Sequence, residues 1–173
     1  MIETEVKIRP FSGKEYIKRA LEKINATYLY TVEEHDTYYQ HPVRDFSRTD
    51  EALRLREIRK GNTVECVITY KGPREEGVFK KREEVEVRVS SCVDMDYLLK
   101  KLGFKDVAVI KKKREYYKLG RCLISLDYVE KLGFFVEIEC SEEEIKNVID
   151  MLKINYEVVE ETYLEMILRN KNK

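Results

Sequence analysis

Charged residues of like sign recur at every second position along this chain, with apolar residues in the gaps, and few architectures accommodate that pattern. Near the start, Glu3, Glu5 and Lys7 share one face of an extended segment while Ile2, Val6 and Ile8 share the other. The layout returns with Arg54 and Arg56 between Leu53 and Leu55, and with Glu84, Glu86 and Arg88 between Val85, Val87 and Val89. It returns again with Glu137 and Glu139 between Val136, Ile138 and Cys140. A solvated sheet face carries mixed, loosely placed charges. Here acid neighbours acid and base neighbours base, which repel unless something neutralises them. Basic pairs suit phosphate oxygens and acidic pairs suit hard divalent cations. A polyphosphate carrying magnesium or manganese satisfies both.

The chain of 173 residues reads as a single domain, 1–173, large enough for a real core. Lys plus Arg and Asp plus Glu are equal at 33 each, so no global field steers the chain to nucleic acid or to a membrane surface. No apolar run approaches the roughly 20 residues needed to span a bilayer. The acidic N-terminus lacks a secretory pattern, and the expected location is cytoplasmic. The four cysteines form no CxxC pair, which argues against a zinc or redox motif and predicts four reduced, buried thiols. His35 and His41 read as loop or turn residues rather than ligands, His41 because it precedes Pro42.

Periodicity predicts strands over 1–9, 26–39, 52–59, 63–71, 79–89, 107–119, 122–129 and 134–140. Helices are expected over 14–23, from a Ser90 or Ser91 cap to Leu102, and from a Ser141 cap to Ile154. A C-terminal helix is expected within 158–172, centred on Tyr163 to Arg169. The order strand, helix, three strands is thus written twice, predicting two pseudo-repeats at approximately 1–77 and 78–154. The fold class predicted is α+β: an eight-stranded antiparallel closed β-barrel, its edges removed by closure. With helices packed outside on the apolar faces, the charged faces line a hydrated interior.

Glu3-x-Glu5-x-Lys7, together with the later segments in order, resembles the CYTH family of triphosphate tunnel metalloenzymes. The stretch from Asp36 through Arg44, Asp45, Thr49 and Asp50 to Arg54 and Arg56 is similar to the class IV adenylyl cyclase branch. Thr69-Tyr70-Lys71-Gly72-Pro73, Glu137-Ile138-Glu139 and Tyr163-Leu164-Glu165-Met166 fit the same pattern, so the resemblance spans essentially the whole chain. It implies a tunnel that grips a triphosphate and uses Mg2+ or Mn2+. On matching positions, Lys7, Arg54, Arg56 and Lys71 are the expected catalytic and triphosphate-binding residues, joined by Arg88, Lys112 and Arg114 as further triphosphate ligands. Glu3, Glu5, Glu84, Glu86, Asp127, Glu137 and Glu139 are the expected metal-facing carboxylates. The inward register of Lys111 to Arg114 stays open, as does the choice between phosphate contact and internal ion pairing for Arg54 and Arg56. Asp45, Thr49 and Asp50 alternatively cap a turn before the third strand.

The activity implied is metal-dependent triphosphate processing. The first reading is a class IV-type adenylyl cyclase making cyclic AMP and pyrophosphate from ATP. The second is an inorganic tripolyphosphatase or a thiamine or nucleoside triphosphate hydrolase, and the third a non-catalytic polyphosphate or nucleotide binder. The expected partner is ATP or another triphosphate, with neither nucleic acid nor membrane. A homodimer is allowed but no interface is legible.

Overall fold

A computed structural model describes residues 2–75 and 79–171, with side chains from Thr4 onward. The elements run β1 (Ile2–Pro10), α1 (Lys14–Lys23), β2 (Thr27–Gln40), α2 (Phe46–Thr49), β3 (Ala52–Lys60), β4 (Thr63–Lys71) and β5 (Lys80–Val89). They continue with α3 (Cys92–Lys101), β6 (Lys105–Leu119), β7 (Cys122–Val129), β8 (Gly133–Glu139), α4 (Glu142–Leu152), β9 (Tyr156–Val158) and α5 (Tyr163–Lys171). β1 to β8 form a ring in the order β5-β4-β3-β2-β6-β7-β8-β1, and β1 closes it by pairing antiparallel with β5 from Ile2↔Glu83 to Glu5↔Lys80. All these pairings are antiparallel, so the ring is built from hairpins and returns. Gly61 and Gly120 open the two-residue turns of the β3–β4 and β6–β7 hairpins with φ of 55° and 57°, a conformation glycine adopts without a Cβ penalty.

Period-two alternation divides each strand between two environments. The outer residues Val6 and Ile8 of β1, Ile124 and Leu126 of β7, and Val136 and Ile138 of β8 form one core with Ile17 and Leu21 of α1 and Ile145, Val148 and Leu152 of α4. A second outer core joins Leu55 of β3 and Cys66 of β4 to Leu99 of α3. Helix starts follow their side-chain chemistry. Ser91 caps α3 by accepting from Asp94 N–H, and Ser141 and Glu144 form a reciprocal capping box on α4.

Helix α5 behaves differently. It begins at Tyr163, not near 158, because residues 156–158 form β9, which pairs with β1 at Ile8↔Val158 and was not expected. Its Tyr163, Met166 and Ile167 pack on Tyr38, Ala108, Ile110 and Phe135. Those residues share alternation with the inward-facing Asp36, Lys112 and Glu137, so α5 closes one end of the ring from within. Short helix α2, also unexpected, starts at Asp45, whose carboxylate accepts from Ser47 N–H at 3.0 Å, and ends at Asp50 with φ 54°. This agrees with the capping reading of Asp45 and Asp50.

Two expectations need correction. The four cysteines form two disulfides, Cys66–Cys92 and Cys122–Cys140, with Cα–Cα distances of 5.5 and 4.8 Å. Pairing of Leu123 with Glu139 makes Cys122 and Cys140 spatial neighbours despite a sequence separation of 18. His35 lies inside β2, not in a turn; His41 does sit in a turn, its Nδ1 accepting from Val43 and Arg44 N–H.

Candidate active site

The inward faces of the strands enclose a cavity of about 730 Å³. Its cations divide into those held by two or more carboxylates and those with at most one among the described residues. In the locked set, Arg56 of β3 makes a bidentate pair with Asp36 of β2, at 2.6 and 2.7 Å, and its Nη1 lies 3.1 Å from Glu34. Lys112 of β6 lies 3.2 Å from Glu34 and 3.8 Å from Asp36. Arg114 is bidentate to Asp127 of β7 and also donates to Glu137 of β8. Tyr163 donates to Asp127 at 2.8 Å, and Tyr116 to Glu34 at 3.1 Å. Burial alone pushes the Glu34 carboxyl up, but Arg56, Lys112 and Arg114 outweigh it and bring it down to about 2. Asp36 and Glu137 are held low by the same balance, burial opposed by Arg56 and Lys112 for the first and by Arg114 and Lys7 for the second. Lys112 is lowered, by burial first and then by Arg114 and Arg56.

Each member of the second set has at most one carboxylate partner among the described residues. Arg54 donates from Nη2 to Thr69 at 3.0 Å and lies 3.9 Å from Glu86, while its buried Nε has no hydrogen-bond partner among the described residues. Arg82 of β5 is buried against the cavity, and no carboxylate among the described residues lies within 4.0 Å of it. Lys7 stands over the Tyr163 ring at 3.9 Å, 3.6 Å from Glu137. Lys7 and Lys80 both donate to the Glu161 carbonyl, at 3.1 and 3.3 Å. Burial, then the neighbouring Lys7, lowers Lys80 to about 8. Lys71 is paired with Glu84 and lowered by burial and by Arg54.

A cluster of carboxylates faces these cations. Glu5 of β1 stands directly opposite Glu139 of β8, and both line the cavity with Glu84 and Glu137. Directly opposed side chains on neighbouring antiparallel strands have Cβ atoms about 4.5–5.5 Å apart. Glu139 is raised by burial first, then by Glu5, Glu84 and Glu137. Carboxylates converging on a raised Glu139 fit a hard divalent cation, which would supply positive charge among them. A different group, Cys122, Cys140 and Glu144, brings ligand atoms within 4.8 Å, but its thiols are joined in the disulfide and it packs under α4 on the outside of the ring.

The sequence-predicted residues distribute unevenly over this geometry. Lys7, Arg54, Arg56, Lys71, Lys112, Arg114, Glu5, Glu84, Glu86, Glu137 and Glu139 all line the cavity. Asp127 is fully buried beside it, bound to Arg114 and Tyr163. Arg88 is outside: exposed on β5, it lies 3.7 Å from Glu65 and does not border the cavity. The side chain of Glu3 lies outside the described residues. Four residues escaped the sequence reading. Glu34 and Asp36 show the same acid-x-acid spacing on β2 that marked the other strands, and Arg82 and Lys80 share alternation with Glu84 and Glu86.

The CYTH domain profile matches residues 1–168. The Methanocaldococcus jannaschii protein named "Putative adenylate cyclase MJ0240" is 36% identical over 177 residues, covering 96% of this chain and 98% of its own. The solved structure of PH1819 from Pyrococcus horikoshii is 36% identical and superposes with a TM-score of 0.86, covering 97% of this chain and 99% of that one. At 19% identity, HpAC1 from Hippeastrum, described as having a dominant triphosphatase activity, shares the fold with a TM-score of 0.75 over 98% of this chain and 96% of its own. Among the described residues no helix is long and apolar enough to cross a membrane. A ring of eight antiparallel strands, a charged interior and a match along nearly the whole sequence lead to one assignment: the chain belongs to the CYTH domain family.

Proposed function

We propose that the protein is a divalent-metal-dependent, triphosphate-processing enzyme that acts as a class IV-type adenylyl cyclase, turning ATP into cyclic AMP and pyrophosphate. The observation that carries this reading is the juxtaposition of loosely held cations with the Glu5–Glu139 carboxylate cluster inside one cavity. Arg54, Lys71 and Arg82 would take phosphate oxygens from one wall, and Lys7 and Lys80 from the β1–β5 seam. Guanidinium forks and ammonium groups make charge-assisted bonds to phosphate without rearranging the strands. Glu5, Glu139 and Glu84 would hold Mg2+ or Mn2+, which when bound offsets triphosphate charge and acidifies a coordinated hydroxyl. Arg56, Lys112 and Arg114, anchored by Glu34, Asp36 and Asp127, would fix the inner wall in place behind the less heavily paired cations, the preorganisation that phosphoryl transfer relies on. The ribose 3′-oxygen would attack the α-phosphorus in line, and the cation wall would hold the departing pyrophosphate.

A second reading is triphosphate hydrolysis, favoured by the fact that these cations would contact phosphate alone and so grip a triphosphate whatever its organic group. Chromatography of products from Mg-ATP and Mg-tripolyphosphate separates the two. Cyclic AMP with matching pyrophosphate establishes the cyclase, and inorganic phosphate without cyclic product establishes the hydrolase. Tight binding with no turnover of either substrate overturns both in favour of a binder.

A further inference from the structure

The ring is not sealed along its whole length. β1 pairs with β5 only from Lys80 to Glu83, while β5 runs on to Val89 with β4 on its other side. No strand among the described residues lies along the free edge of Val85–Val89. Every second residue of that stretch therefore turns a backbone N–H and C=O away from β4 with no ladder to enter. Val85 and Val87 of the outward face are 48% and 53% exposed, and the Glu86 and Arg88 side chains of the inward face 59% and 81%. A strand covered on one face is exposed at alternate positions only; here four successive residues are open.

Such an edge is a template for another strand, and folded chains blunt it with proline, a bulge or charge. Val85–Val89 holds no proline, and its register with β4 runs unbroken. Its charges have opposite signs two residues apart, so they match a copy of themselves in one alignment. Directly opposed residues of an antiparallel pair share a face, so a two-fold pairing of this stretch is centred on a single residue. Centred on Glu86 or on Arg88, it opposes that residue to itself, like charge to like. Centred on Val85, it opposes Glu84 to Glu86. Centred on Val87, it opposes Glu86 to Arg88 twice, Val85 to Val89 twice, and Val87 to Val87. On the outward face, half-buried Ile68 and Tyr70 of β4 stand beside Val87 and Val85 and widen the apolar strip.

We propose that this open edge is a self-association site: Val85–Val89 pairs antiparallel with the same stretch of a second copy of this chain, centred on Val87. The two-fold pairing uses the edge of both copies, so assembly closes at two. Arg88, which within one copy lies 3.7 Å from Glu65 and outside the cavity, then stands opposite Glu86 of the second copy. Glu86 lines the cavity, so each copy supplies a cation to the rim of the other's cavity. The rim is incomplete in a single chain.

Sedimentation equilibrium of the full chain measures the association, and the wild type is expected to be a dimer at about 100 μM. Arg88→Glu sets carboxylates face to face at both Glu86 contacts and is expected to weaken association at least about tenfold. Glu86→Arg/Arg88→Glu exchanges the charges and is expected to restore it to within about threefold of wild type. The register is read by cross-linking. Val87→Cys meets its own copy at the centre of the pairing, where Cα atoms about 4.5–5.5 Å apart permit a disulfide-linked dimer on a non-reducing gel. Val85→Cys faces Val89 of the second copy and is expected to stay unlinked. A monomeric wild type overturns the proposal, as does a dimer that Arg88→Glu leaves intact. A charge exchange that fails to restore the dimer, or linkage through Val85→Cys instead of Val87→Cys, overturns it equally.

Discussion

Replacing Arg114 by Met should cost stability far more than replacing Arg54 by Met, although both are buried cations on the same cavity wall. Arg114 is bidentate to Asp127, which is fully buried, and also donates to Glu137. Removing it leaves two carboxylates facing each other in low dielectric, a type of lesion that costs about 3–5 kcal/mol. Each kcal/mol moves the melting temperature of a domain of this size by about 2–4 °C, so Arg114→Met is expected to lose roughly 6–20 °C. Arg54 donates to the Thr69 hydroxyl at 3.0 Å, also interacts with the Tyr38 hydroxyl, lies far from Glu86, and has no partner for its Nε among the described residues. Its loss forfeits hydrogen bonds to neutral partners, near 1 kcal/mol or less than about 4 °C each. Affinity for Mg-tripolyphosphate should invert this order: a charge-assisted contact to phosphate is worth about 1.5–3 kcal/mol, so Arg54→Met should weaken binding by roughly 10- to 150-fold. Calorimetric melts and titrations on the two purified variants decide the matter. Similar melting losses in both would refute the division of the cavity cations into locked and loosely held sets.

Three further outcomes are expected. Glu34 is brought down to about 2 in the fold against an ordinary value of 4.5, so its contribution is present above about pH 4.5 and lost as pH falls toward 2; melting temperature should hold from pH 7 to 5 and then decline, and a flat profile down to pH 3 would contradict the locked network. Lys80 is lowered to about 8 against an ordinary 10.5, so between those values the unfolded chain binds more protons and stability should rise with pH; triphosphate restores the charged form, so binding near pH 9 should take up protons, measurable by calorimetry in two buffers and clearly reduced in Lys80→Met. Reduction of the two disulfides, which close loops of 26 and 18 residues in separation, should cost about 3 kcal/mol each, and a melt unchanged by strong reductant would argue that the bonds do not form.

Much of this molecule is legible because strand alternation carries two facts at once, which residues share a face and which face is charged. That parity identified β1, β3, β4, β5 and β8 and brought Lys7, Arg54, Lys71, Glu5 and Glu139 to one cavity. What parity does not carry is where a strand ends relative to its neighbours. Arg88 shares alternation with Glu84 and Glu86, but the described β1–β5 pairing stops at Ile2↔Glu83 and Arg88 lies in solvent beyond the cavity. Partner choice is equally hidden. Arg56 and Arg114 look like Arg54 in sequence, and only the cross-strand register, Asp36↔Arg56 and Arg114↔Asp127, shows that they are already paired. The disulfides and the inward docking of α5 depend on contacts between distant segments, which no local pattern encodes.

The central claim is that loosely held cations inside the ring grip a triphosphate. The most direct test is the dissociation constant of Mg-tripolyphosphate for the wild type and for Arg54→Met/Arg82→Met, with circular dichroism confirming the fold of both. The account predicts clear binding to the wild type and a loss of a hundredfold or more, about 2.8 kcal/mol, in a variant that melts within a few degrees of it. Equal affinity in the two proteins would contradict it.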